Sequence, residues 1–210
     1  MNYQKELDEI LSAIPAPPPK QTLLLHACCG PCSSYVIEYL AARFDITIFY
    51  YNPNIHPKAE YDRRLAELEK FVGVFPPSVQ NAVKIIVDNY NQDDYFQATN
   101  VLNETALQTE PEKGERCRRC YEFRMKRAFQ YAAAHGFQWF TTTLSISPHK
   151  DAEKINTIGY ALEKAGGTKT TRFLPADFKK KGGFLRSTQL SAEYGLWRQD
   201  YCGCAYSIRT

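Results

Sequence analysis

The run Leu23-Leu24-Leu25-His26-Ala27-Cys28-Cys29-Gly30-Pro31-Cys32-Ser33-Ser34 constrains this chain more than any other stretch. A short apolar segment, a tight turn carrying three thiols and an amphipathic pattern (Tyr35, Val36, Tyr39, Leu40) read as strand, turn and helix. Gly30 and Pro31 bend the chain, and Ser33 or Ser34 can accept from the free N–H groups of the first helical turn. Thiols at a helix N-terminus face the positive end of the helix dipole. That favours thiolate over thiol, which makes a nucleophile or a metal ligand. A turn built only for packing would bury one cysteine; three point to chemistry.

Residues 1–20 carry a short amphipathic pattern (Leu7, Ile10, Leu11) ending in Pro15-Ala16-Pro17-Pro18-Pro19. This reads as a small helix and a stiff, proline-rich leader outside the core, with residues 21–210 as a single α/β catalytic domain. The pattern then predicts strands over 22–27, 46–50, 83–88, 137–142 and 170–174. Helices are predicted over 33–43, through Tyr61, Leu65, Leu68 and Val72, over 93–102, 117–135 and 151–165, and from 187 onward. Residues 103–115 and 144–150 read as loops. The alternation implies right-handed crossovers and a parallel sheet with helices on both faces, a Rossmann-like α/β class. Sites in such sheets lie beyond the carboxyl ends of the strands, so the turns at Cys28–Cys32, Asn52–His56 and Thr141–Lys150 are expected to share one crevice.

No apolar run approaches the length of a membrane span, and the first residues lack a basic start followed by an apolar run. A cytoplasmic protein with reduced thiols is therefore expected. Seven cysteines then suit metal or redox chemistry better than a disulfide framework, and the odd count agrees. A net charge of +3 permits nucleic-acid binding without arguing for it.

Cys117-Arg118-Arg119-Cys120 places two thiols three residues apart on one helical face, where both can reach a common metal. Cys202-Gly203-Cys204 cannot comfortably chelate one ion, but can close a small, easily reduced disulfide. Three readings fit these thiols. One is a redox metalloenzyme with an iron–sulfur cluster on Cys28, Cys29, Cys117 and Cys120. Another is a thioredoxin-like dithiol oxidoreductase using Cys29-Gly30-Pro31-Cys32, although no Trp precedes that tetrapeptide and four cysteines stay unexplained. The last is a zinc-stabilised binding module, which would leave a third thiol over in the first turn.

With these residues in hand, the chain resembles the QueH-type epoxyqueuosine reductases over about Leu23 to Ser207. The markers are the CCGPC turn, Asn52-Pro53-Asn54-Ile55, Arg116-Cys117-x-x-Cys120, Thr141-Thr142-Thr143-Leu144 with Ser147-Pro148, and Tyr201-Cys202-Gly203-Cys204. The resemblance implies an adenine-nucleotide-hydrolase-like, Rossmann-type fold. In it CCGPC stands where related folds carry a phosphate loop, so nucleotide hydrolysis is not expected. The implied reaction is cobalamin-independent reduction of the epoxide of epoxyqueuosine at the wobble position of tRNA, the last step of queuosine synthesis. The implied cofactor is a [4Fe–4S] cluster on Cys28, Cys29, Cys117 and Cys120. A second, mononuclear iron is implied at Cys32, a position that is Asp in some members. Cys32, Cys202 and Cys204 are then the catalytic candidates, the last two as a redox disulfide served by an unidentified electron donor. Competing with that role, Cys202 and Cys204 could ligate the second iron together with Cys32.

Asn52, Asn54 and His56 are candidates for the substrate base or ribose, though Asn-Pro pairs also make turns unaided. Thr142 and Ser147 could donate to substrate oxygens or simply cap the next helix. Lys179, Lys180 and Lys181, with Arg116, Arg118, Arg119 and Arg186, are the phosphate-contact candidates, weighed against an ordinary solvated face. Tyr201 and Tyr206 could stack on bases or pack. His26, inside a strand, reads as a hydrogen-bonded core histidine.

Overall fold

A computed structural model describes residues 2–14, 19–166 and 170–208. In chain order its elements are α1 (Tyr3–Ala13), β1 (Gln21–His26), α2 (Gly30–Leu40), β2 (Phe44–Tyr50), α3 (Lys58–Val74), α4 (Pro76–Gln80) and β3 (Lys84–Val87). There follow α5 (Gln92–Thr99), α6 (Thr105–Thr109), α7 (Glu115–Ala134), β4 (Trp139–Thr142), α8 (Ala152–Ala165), β5 (Arg172–Phe173) and α9 (Gly183–Glu193). Short 3-10 turns occupy Thr143–Ile146 and Ala205–Ser207.

The strands form one parallel sheet in the order β3-β2-β1-β4-β5, the expected Rossmann-like α/β arrangement. β1 is central because it is apolar on both sides. Successive side chains of a strand point to opposite faces, so Leu23 and Leu25 enter a core with Val36, Ile37, Leu68 and Phe71. Leu24 enters the other, with Met125, Phe140 and Ile155. Helix α2 thus leaves β1 over one face of the sheet and α8 leaves β4 over the other. The crevice opens between β1 and β4, where the winding of the sheet reverses.

Several boundaries differ from the pattern. α2 begins at Gly30, not Ser33, because Cys29 caps it: the Cys29 backbone is extended and its Sγ accepts from the Cys32 N–H at 3.3 Å. Ser33 and Ser34 instead donate their hydroxyls to the carbonyls of Cys29 (2.8 Å) and Pro31 (3.0 Å). The predicted loop over 103–115 contains α6, and α9 starts at Gly183 rather than at Ser187. Among the described residues no helix is long and apolar enough to cross a membrane.

The expectation that residues 1–20 stand outside the core is corrected for α1. Leu7 and Ile14 are buried in the same core as β1, with Ile10 and Leu11 against it. The apolar stripe that makes the helix amphipathic is most stable when covered, and the Tyr39 hydroxyl donates to Asp8 to hold it there. The proline run, Pro15 to Pro18, lies outside the described residues. Truncating Leu7 should therefore act as a core mutation. Leu7→Ala is expected to cost about 2–5 kcal/mol in urea unfolding. A change within about 0.5 kcal/mol, the usual surface value, would contradict the packing of α1.

Candidate metal and redox centre

The turn after β1 brings the Sγ atoms of Cys28, Cys29 and Cys32 within 4.8 Å of one another. Cys28 and Cys29 are buried and Cys32 is half-buried. Three thiols this close cannot all ionise together. Cys28 is the acidic one: hydrogen bonds from the Cys29 and Cys32 thiols favour its thiolate, and Lys150 and Arg124 add to them against the cost of burial. Burial pushes Cys29 up to about 12, and the negative partner beside Cys32 raises that thiol too. The Gln199 amide donates to Cys29 Sγ at 3.2 Å, while its Oε1 is buried without a partner among the described residues. Three sulfurs grouped this closely suit a ligand turn better than a thioredoxin-like dithiol, which uses two.

Two cations face these sulfurs, and neither was singled out in the sequence. Lys150, at the end of the loop after β4, is 8% exposed, and no carboxylate pairs with it among the described residues. Burial acts against its charge, but the thiols of Cys202, Cys28 and Cys32 outweigh that and hold its pKa above the ordinary value. Arg124 of α7 is 1% exposed; its guanidinium lies in the field of Cys120, Cys202 and Cys28. The available signal was its spacing from Cys120 and Cys117, four and seven residues along one helical face.

Cys117 and Cys120 lie in the first turns of α7. Burial raises both thiols, Cys120 to about 12. Cys120 shares a small buried cluster with Tyr95, Val101, Leu107 and Cys204. The tail reaches this centre through backbone contacts. Arg64 of α3, buried and paired with Glu60 at 2.6 Å, donates to the carbonyls of Cys202 (3.1 Å) and Tyr201 (3.3 Å). The His56 N–H donates to the Gly203 carbonyl at 2.8 Å, and the Tyr201 hydroxyl donates to the His56 carbonyl at 2.6 Å. Gly203 has φ +109, and a Cβ there would stand 3.0 Å from Arg64 Nη1 and from Ile55 Cγ1, so only glycine suits the position. Cys202 and Cys204 are both free thiols here, with the Tyr95 hydroxyl 3.1 Å from Cys204 Sγ. A cavity of about 310 Å³ opens beside the centre, lined among others by Cys32, Ser147, Lys150, Gln199, Tyr201 and Cys202.

The chemistry of the Cys28, Cys29 and Cys32 set suits a thiophilic metal: three grouped soft sulfurs with buried countercharge beside them; Cys117 and Cys120 are not part of that close group.

The other candidates separate by their partners. Asn52 is spent on structure: it donates to the Ala27 carbonyl (2.8 Å) and accepts from Arg124 (3.1 Å). Thr142 Oγ1 is engaged by His26 (2.8 Å) and by the Leu144 N–H (3.2 Å), so it caps the 3-10 turn. Asn54 keeps Oδ1 buried and without a hydrogen-bond partner among the described residues. The His56 ring is exposed and meets Gln92, and its backbone holds the tail. Lys179 pairs with Asp177 at 2.6 Å and Lys181 with Asp8. Lys180 borders a different depression, beside the start of α1, and none of the three lysines lines the thiol cavity. Arg118, Arg119 and Arg186 are tied to glutamates, and Arg116 is buried against the carbonyls of α6. Tyr206 packs under Arg116. His26 is a core histidine, as read: burial lowers its pKa to about 3, and it bonds Thr142 and the Tyr51 carbonyl.

The family model described as "Epoxyqueuosine reductase QueH" matches residues 23–210. An epoxyqueuosine reductase QueH of Streptococcus pyogenes is 38% identical over 209 residues, covering 100% of this chain and 79% of that protein. One of Staphylococcus epidermidis is 37% identical over 207 residues, covering 99% of this chain and 84% of its own. One of Thermotoga maritima is 33% identical over 190 residues, covering 89% and 90%.

Proposed function

This chain belongs to the epoxyqueuosine reductase QueH family, and on that premise we propose that it removes the epoxide oxygen of epoxyqueuosine at the wobble position of tRNA to leave queuosine. The chain is an oxidoreductase. The observation that carries this reading is the convergence of three thiol-bearing segments, at Cys28–Cys32, Cys117–Cys120 and Cys202–Cys204, around the buried cations Arg124 and Lys150. A cytoplasmic setting, where thiols stay reduced, suits both cofactor and substrate.

Converting an epoxide to an alkene consumes two electrons and two protons and releases water. Closing Cys202 and Cys204 into a disulfide yields two electrons and two protons, so one dithiol balances one deoxygenation. An external donor then reopens the bond. A [4Fe–4S] cluster on Cys28, Cys29, Cys117 and Cys120 would pass electrons singly, and a mononuclear iron at Cys32 would draw electron density from the C–O bond. The cavity volume suits the side chain of a nucleotide turned out of its strand. Lys150 lines it, and its ammonium meets the negative charge that builds on the departing oxygen. Asn54 offers a buried acceptor in the turn after β2.

The test is anaerobic turnover on tRNA from cells lacking epoxyqueuosine reductase activity, read by mass spectrometry of the nucleosides. Without external reductant, each queuosine formed should remove one pair of alkylatable thiols, at Cys202 and Cys204. Product formed with both thiols still alkylatable would sink the dithiol role. Cys117→Ser and Cys120→Ser should lose iron and visible absorption; full iron content in both would overturn the ligand set. Lys150→Met should fold normally yet lower kcat by about 10²–10³, the usual effect of removing a group that stabilises a developing oxyanion. Wild-type kcat in that variant would take Lys150 out of the chemistry.

A further inference from the structure

A buried hydrogen-bond path joins the two cysteine segments that supply the proposed cluster ligands. Arg124 Nε donates to the Cys120 carbonyl (3.4 Å), and Nη1 donates to Asn52 Oδ1 (3.1 Å). Asn52 Nδ2 then donates to the carbonyl of Ala27 (2.8 Å), the residue before Cys28. Arg124 and Asn52 are each 1% exposed. Nη2 is buried and finds no hydrogen-bond partner among the described residues.

An unused donor on a buried guanidinium costs stability unless something accepts from it. No carboxylate takes that place among the described residues; the negative groups that bear on Arg124 are chiefly the thiols of Cys120, Cys202 and Cys28, with Tyr121 after them. The guanidinium is a rigid planar fork, so fixing Nε and Nη1 also fixes where Nη2 points. A lysine could not do this, because its ammonium is a single charge on a flexible stem.

We propose that Arg124 donates its free Nη2–H to a sulfur of the thiolate-held cluster and thereby raises the cluster's reduction potential, with Asn52 holding the guanidinium in register. This rests on the cluster reading above. Adding an electron makes the cluster more negative, so a buried cation and an N–H donor stabilise the reduced form more than the oxidised one. Asn52, from the sequence a candidate for either the substrate or the turn, is on this account a positioning residue.

The test compares reconstituted wild type, Arg124→Gln and Arg124→Lys by iron and sulfide content and by a redox titration followed through the electron paramagnetic resonance of the reduced cluster. Arg124→Gln should keep its cluster but titrate at least tenfold away in the one-electron equilibrium, about 59 mV more negative. Arg124→Lys keeps charge but loses the fork, and should fall between the two. A loaded Arg124→Gln at the wild-type potential would overturn the inference. Where that variant fails to load, Arg124→Lys decides: a wild-type midpoint overturns the proposal and a more negative one supports it. A wild type that takes up no cluster overturns the reading beneath it, an outcome that iron and sulfide analysis separates from the others.

Discussion

Sulfur that is to carry negative charge inside a protein must be met there by positive charge, because a buried thiolate without a counterion is costly. The centre of this structure is organised by that requirement. Arg124 arrives from α7 and Lys150 from the loop after β4, and among the described residues neither pairs with a carboxylate, whereas Arg118, Arg119, Lys179 and Arg186 do. The effect is to leave these cations facing the thiols and, for Lys150, the cavity beside them. Cys28 ionises most readily of its turn, and Cys202 lies within the influence of both cations.

The parallel sheet makes the meeting possible. β1 lies between β2 and β4, so the turn after β1 sits where helices depart to opposite faces. That leaves backbone N–H groups and an open crevice beside the CCGPC turn, where Cys29 takes the capping position that a Ser or Asp commonly fills. The tail is brought to the same crevice by main-chain contacts: Arg64 holds two of its carbonyls and the turn after β2 holds Gly203. These contacts do not depend on the cysteine side chains of the tail.

Much of this was readable before any coordinates. An apolar run followed by three thiols and an amphipathic pattern can hardly be other than strand, turn and helix, and regular alternation of strand and helix leads to a parallel sheet with its site at the strand ends. The cysteines and the family markers were therefore local facts, and the class of chemistry came with the resemblance those markers carry. The assignment of polar residues was not. Asn52, Thr142, Lys179 and Lys181 looked available because sequence displays residues without their partners. In the fold, Asn52 meets Arg124 across 72 positions, and Lys181 meets Asp8 across 173.

The sequence by itself determined the strand–turn–helix that presents the thiols, the α/β class and the crevice shared by the turns after β1 and β4, though not by Asn52–His56, since each follows from short-range pattern and backbone geometry. The tertiary structure alone decided that α1 belongs to the core, that Arg124 and Lys150 are the cations left to face the sulfurs, and that the tail lies against α3. Those outcomes depend on which side chains packing brings together, as with Arg64 and the Cys202 carbonyl, 138 residues apart, and no local periodicity encodes such a pairing.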